Sequence, residues 1–148
     1  MSRTFTKLLT HVIFSTKDRE PLIRVEIKSE LLAYLGGLTR ELKGKAYGIN
    51  CTNNHVHMLV SLPPSVSIAD ALRFIKANSS GWVREKWKKP FAWQLGYGAF
   101  SVSKSNVPGV LKYIANQEAH HRRVAFKDEF VDFLRKHEVD YDERYIWK

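Results

Sequence analysis

Cysteine is nearly absent from this chain of 148 residues: Cys51 stands alone, so no disulfide can form within it, and a reducing compartment is the simplest setting. Long apolar runs are missing as well. Met1 to Lys7 is polar and Leu8 to Phe14 is far too short to span a bilayer, so neither a signal peptide nor a membrane span is expected and a soluble, cytoplasmic protein is. Phosphate-cradling glycine loops are lacking too, because Gly96-Tyr97-Gly98 has neither a third glycine nor a helix start after it. No internal repeat, low-complexity tract or linker divides the chain, which is long enough to bury a core without a structural metal; one domain over residues 1–148 is expected. Acidic residues are few, 15 against 24 Lys and Arg, and the imbalance is uneven: residues 1–117 carry 17 basic and 7 acidic side chains. Such a surplus attracts a polyanion and makes its binding salt-dependent.

The apolar pattern predicts alternating strands and helices. Leu8 to Ser15 reads as a first strand, and Ile27, Leu31, Leu35, Leu38 and Leu42 repeat at helical spacing up to Gly44. Ala46–Thr52 and His55–Leu62 read as a hairpin around Asn53-Asn54, side chains that tolerate positive φ. Ser67 to Asp70 has the form of a capping box opening a second helix, weakened by Gly81 near its end. Phe91 to Ser103 is expected as a bent fourth strand, Val107-Pro108 as a helix entry, and Phe126, Phe130, Phe133 and Leu134 as one more amphipathic helix. The order β-α-β-β-α-β followed by helices predicts an α+β fold, a ferredoxin-like or RRM-like sandwich whose antiparallel sheet carries helices on one face plus C-terminal helices.

The chemistry concentrates in two short stretches. His55-Val56-His57 puts two imidazoles on one strand face, where both can meet a single cation or phosphate. Tyr113 and Gln117, four residues apart, share a face of a helix; Gln117 has an amide oxygen to offer a metal, and Lys112 and Lys104 can assist electrostatically. Taken alone each stretch has an ordinary reading: paired histidines are usually packing residues, and a helical tyrosine is usually a half-buried core aromatic. His120 and His121 continue the polar helix face, where a contact with DNA or metal is the alternative to the commoner solvated helix end, and Cys51 reads as a buried thiol that could otherwise join a zinc site.

Together the stretches resemble the single-tyrosine HUH transposases of bacterial insertion sequences, the IS200-like group that includes the REP-associated tyrosine transposases. His55-Val56-His57 matches the HUH motif and Tyr113-Ile114-Ala115-Asn116-Gln117 the Y-x-x-x-Q helix. The likeness runs on through Lys76-Ala77-Asn78-Ser79-Ser80, Trp93-Gln94, Gly96 to Ser101 and Asn116 to His121. It implies a metal-dependent single-stranded DNA transposase that cuts and rejoins hairpin-bearing ends. Tyr113 would be the nucleophile forming a 5′-phosphotyrosine link, and His55, His57 and Gln117 would ligate Mg²⁺ or Mn²⁺. It implies a catalytic core at about residues 5–121 with a helical extension at about 122–148. A homodimer is expected, with the tyrosine helix of one protomer able to complete the other's site, and action at the nucleoid. Asn53-Asn54 stands where many relatives carry Pro-Asp, which removes a carboxylate beside the metal.

Arg73, Lys76, Trp93, Tyr97, Lys104 and Lys112 are the expected DNA contacts, the aromatics by stacking and the cations at phosphates. A non-catalytic or domesticated binder of structured single strands is the alternative, and a zinc hydrolase built on His55, His57 and Cys51 or His120 is a third reading.

Overall fold

The computed structural model describes residues 4–147. Its elements run β1 (Leu9–Ser15), α1 (Val25–Glu41), β2 (Lys45–Cys51), β3 (His55–Ser61), α2 (Ile68–Trp87), β4 (Gly98–Ser101), α3 (Val107–Ala115), α4 (Gln117–His121) and α5 (Phe126–Lys136). The strands form one sheet of order β2-β3-β1-β4, antiparallel throughout. Strand alternation gives this sheet two different faces. Val12, Phe14, Val56, Met58 and Val60 point to one, where Ile27, Leu31 and Leu35 of α1 and Leu72, Ile75 and Val83 of α2 bury them. Leu9, Ile13, His55, His57 and Leu59 point to the other, covered by α3 to α5. The architecture is the α+β sandwich that the element order predicts, with the C-terminal helices packed on the free face of the sheet.

Three local differences from the sequence reading have visible causes. Neither Asn53 nor Asn54 takes a positive φ; Thr52 N–H bonded to His55 O closes the turn, and the carbonyls of Asn53 and Asn54 are held by Ile23 and Thr16 N–H. Helix α2 runs through Gly81 as its apolar stripe implies, continues to Trp87 and stops where Lys88 turns left-handed at φ 54°. The fourth strand is short because residues 91–97 are diverted: Phe91 and Trp93 enter the core, only Trp93 bridges Thr16, and the Lys76 ammonium donates to the carbonyls of Leu95 and Gly96. The tyrosine helix breaks at Asn116, with φ −98° and ψ 21°, because the Asn50 amide of β2 draws the carbonyls of Ile114 and Ala115 out of the helical ladder. Among the described residues no helix is long and apolar enough to cross a membrane.

Candidate active site

Strand β3 opens directly into the site. His55 and His57 occupy alternate positions and are both buried, so their rings leave the sheet together toward α4 and α5. The break at Asn116 turns Gln117 inward, where it is fully buried, and its Oε1 lies 3.2 Å from Nε2 of His55. Helix α5 brings Glu129, whose Oε1 is 3.0 Å from Nε2 of His57 and 3.4 Å from Nε2 of His55. His121, at the end of α4, places Nε2 at 3.0 Å from both Gln117 Oε1 and Glu129 Oε1. The Tyr113 hydroxyl donates to Glu129 Oε2, and its ring sits edge-on to His57 at 5.7 Å. Phe126 stacks on the outer face of His55 at 4.0 Å, closing the apolar side.

Burial and charge set the protonation of these groups. Desolvation drives His55 down to about 4 and also lowers His57, although the Glu129 carboxylate opposes both shifts. Both imidazoles are therefore neutral at pH 7, the form that can ligate a metal. Burial alone would raise the Glu129 carboxyl, but the His121, His55 and His57 side chains gathered around it outweigh burial and hold the group ionised. Tyr113 is pushed the other way, upward, by burial and then by its bond to Glu129.

The donor set fits a divalent cation. The Asn54 amide nitrogen faces Arg19 O, so its Oδ1 points to Nδ1 of His55 at 2.8 Å and the His55 proton belongs on Nδ1. Nε2 of His55 then presents a lone pair to Gln117 Oε1, an acceptor facing an acceptor with no proton between them. A cation satisfies both. Separations of 3.0 to 3.4 Å among these atoms match the roughly 3 Å edge of an octahedron with bonds of about 2.1 Å. Asn54 thus supplies a hydrogen-bond acceptor at 2.8 Å that holds the His55 ring oriented.

The sequence and the fold have parallels among known proteins. Residues 4–117 match the sequence family described as transposase IS200 like. The chain belongs to the IS200-like transposases. Transposases for insertion sequence element IS200 from Salmonella typhimurium and Salmonella typhi are each 25% identical to it over 114 residues, 72% of this chain and 74% of theirs. The fold matches a Deinococcus radiodurans R1 protein assigned as a transposase, with TM-score 0.65 and 22% identity over 79% of this chain and 95% of that one. It also matches a REP-associated tyrosine transposase bound to a REP hairpin, with TM-score 0.62 and 16% identity over 84% of this chain and 74% of that one.

In this IS200-like transposase, Tyr113, His55, His57 and Gln117 lie together, whereas the expected DNA contacts divide between two places. Arg73, Lys76, Trp93 and Tyr97 line a cavity of about 390 Å³ on the α2 side of the sheet. There Trp93 is a core residue, 7% exposed, with its indole N–H on Ser79, rather than an open stacking platform. Burial lowers Lys76 to about 8. Lys112 lines a cavity of about 560 Å³ with Tyr113, His120 and Arg123, and Lys104 is exposed just before α3. Cys51 points into the opposite core, where burial pushes its thiol up to about 11, so it is not a partner of the histidines.

Two residues of the site, Glu129 and His11, escape the sequence reading, and a third, His121, is ranked there as a solvated helix end ahead of a metal role. Glu129 sits on the apolar stripe formed by Phe126, Phe130, Phe133 and Leu134, and an acid on such a stripe is the signal that would have found it. His121 is an inward-facing member of the cluster, not a solvated helix end. His11 alternates with Leu9 and Ile13 on β1, and its Nε2 lies 2.8 Å from Nδ1 of His57.

Proposed function

We propose that this transposase is metal-dependent and cuts and rejoins single-stranded DNA at hairpin-bearing ends through a 5′-phosphotyrosine link to Tyr113. The observation that carries the reading is the meeting, within one chain, of the Tyr113 phenol and the His55, His57, Gln117 and Glu129 donors. These four would hold Mg²⁺ or Mn²⁺, which when bound supplies Lewis-acid stabilisation of charge on the phosphoryl oxygens. Tyr113 attacks the scissile phosphorus: a bond from its oxygen to phosphorus forms, the bond to the 3′-oxygen breaks, and that oxygen departs as a 3′-OH. Glu129 Oε2, already accepting the phenolic hydrogen bond, would orient the phenol for attack, and the phenolic proton leaves to solvent as the departing 3′-oxygen takes one up. A 3′-OH from a second strand then attacks the phosphotyrosine and releases Tyr113. One phosphodiester is regenerated for each one broken, so joining needs no nucleotide triphosphate.

The strand approaches through the cavity lined by Tyr113, Lys112, His120 and Arg123, with Lys104 nearby, and the structured part of the DNA lies against Arg73, Lys76 and Tyr97, with Trp93 as the floor. The hairpin carried by the REP-associated relative supports this choice of ligand. We assign catalysis to a tyrosine acting in cis, because the His57 and Tyr113 rings lie 5.7 Å apart in the same chain, and a homodimer would present two such sites. The protein would act on the chromosome, at the nucleoid.

A second reading, a binder of structured strands without catalysis, draws on the one feature that disfavours attack: burial and Glu129 make the phenol harder to ionise. Labelled hairpin single strands incubated with Mn²⁺ separate the two. Strand transfer predicts a covalent protein–DNA species on a denaturing gel from wild type and none from Tyr113→Phe. Identical behaviour of the two proteins, with hairpin binding that survives chelation and His55→Ala, overturns it in favour of the binder.

A further inference from the structure

His11 is a fully enclosed polar residue that the catalytic chemistry does not use. It lies on β1, two residues before Ile13 and on the same face, and Ile13 is the residue directly opposite His57. Its ring is edge-on to Phe133 of α5 at 5.1 Å, and its Nε2 meets Nδ1 of His57 at 2.8 Å. His55 and His57 thus each have hydrogen-bonding support behind the ring, Asn54 Oδ1 and the Thr52 hydroxyl at 2.8 Å for the first and His11 for the second, but the supports differ in kind, since the Thr52 hydroxyl gives its proton to Asn54 and so accepts from His55. The Asn54 oxygen only accepts. An imidazole nitrogen donates in one tautomer and accepts in the other.

The difference matters because of what faces His57 on its other side. As the side chains stand, Nε2 of His57 looks at the Glu129 carboxylate at 3.0 Å, a pairing that puts the proton of a neutral imidazole on Nε2. Nδ1 of His57 must then accept, and His11 donates from Nε2. A cation at the site takes the lone pair of His57 Nε2, so the proton must sit on Nδ1, and His11 Nε2 must accept. Each ring moves one proton from Nε2 to Nδ1; none is gained or lost by the pair.

We propose that His11 is a positioning residue of the metal centre, an exchangeable donor and acceptor that keeps His57 hydrogen-bonded both when it faces Glu129 and when it faces a cation. The inference rests on the metal reading above, and its tests contain no DNA, so failure of strand transfer leaves them intact. Ring-nitrogen NMR of ¹⁵N-histidine protein reads the tautomers: on adding Mg²⁺, Nδ1 of His57 changes from a proton-free to a protonated signal, and Nε2 of His11 changes in the opposite sense. Mn²⁺ titrated by electron spin resonance gives the affinity. His11→Leu is expected to bind Mn²⁺ 10- to 100-fold more weakly, and His11→Gln, whose amide also donates or accepts, to recover most of the loss. Mn²⁺ binding by folded His11→Leu equal to wild type overturns the proposal. So does a wild-type His57 whose tautomer is unchanged by saturating Mg²⁺, a result that needs no variant to fold.

Discussion

Glu129 divides its two carboxylate oxygens between two tasks: Oε1 faces His55, His57 and His121, and Oε2 takes the Tyr113 phenol and approaches His120 at 3.3 Å. Glu129→Gln removes the charge and keeps the shape. Mn²⁺ affinity should fall at least about tenfold, about 1.4 kcal/mol, as read by spin-resonance titration, and the Tyr113 phenol should ionise at lower pH in an ultraviolet titration because the neighbouring negative charge is gone. An unchanged affinity would remove Glu129 from the metal site. At Asn54, an Ala substitution should weaken Mn²⁺ binding while Asp retains it, because His55 Nδ1 needs an acceptor and not specifically a charge. His55, His57, Tyr113 and Gln117 were legible because spacing of two on a strand and four on a helix reports a shared face. His11 was not, since it lies on a strand whose pattern says only that it is buried, and for Glu129 the one signal was an acid set on the apolar stripe of α5.

The elements that carry these residues were mostly readable, and where they were not a tertiary contact overrode local preference. The break at Asn116 is the clearest case: the segment from Val107 to His121 reads as one helix, yet the Asn50 side chain, more than sixty residues away, ends α3 and turns Gln117 inward. Likewise β4 is cut short by Lys76 of α2 capping Leu95 and Gly96, a bond no local pattern announces. Helix α5 holds Glu129 in place by packing closely over β4. A Cβ at Gly98 would lie 2.8 Å from Cε1 of Phe130 and 3.1 Å from Cε2 of Phe100. Gly98→Val is therefore expected to cost about 1–3 kcal/mol by overpacking and, because α5 must shift, to weaken Mn²⁺ binding as well. Denaturant unfolding and metal titration on the same sample check both, and a stability loss without an affinity loss would show that α5 does not position the site.

Across the whole molecule, one face of the sheet builds the core with α1 and α2 while the other collects buried polar groups under α3 to α5. That second face makes stability depend on pH. Burial holds His55 at about 4 and His11 at about 3, below the 6.5 of an exposed imidazole. The unfolded chain consequently binds more protons in mildly acid solution, so stability is complete above about pH 6.5 and declines as pH falls toward 4, by about 2 kcal/mol per histidine at pH 5. Thermal unfolding with chelator present should show Tm falling between pH 7 and pH 5; a flat Tm would mean that these imidazoles are not buried. The cis arrangement predicts that mixing Tyr113→Phe with His57→Ala protein restores no strand cleavage, whereas recovery would show a tyrosine acting between protomers. The central claim, one cation held by the paired histidines of β3, is tested most directly by electron spin echo on Mn²⁺-loaded protein. Imidazole nitrogen couplings that shift on ¹⁵N-histidine labelling and diminish in both His55→Ala and His57→Ala are predicted; a Mn²⁺ signal with water ligands and no nitrogen coupling would contradict it.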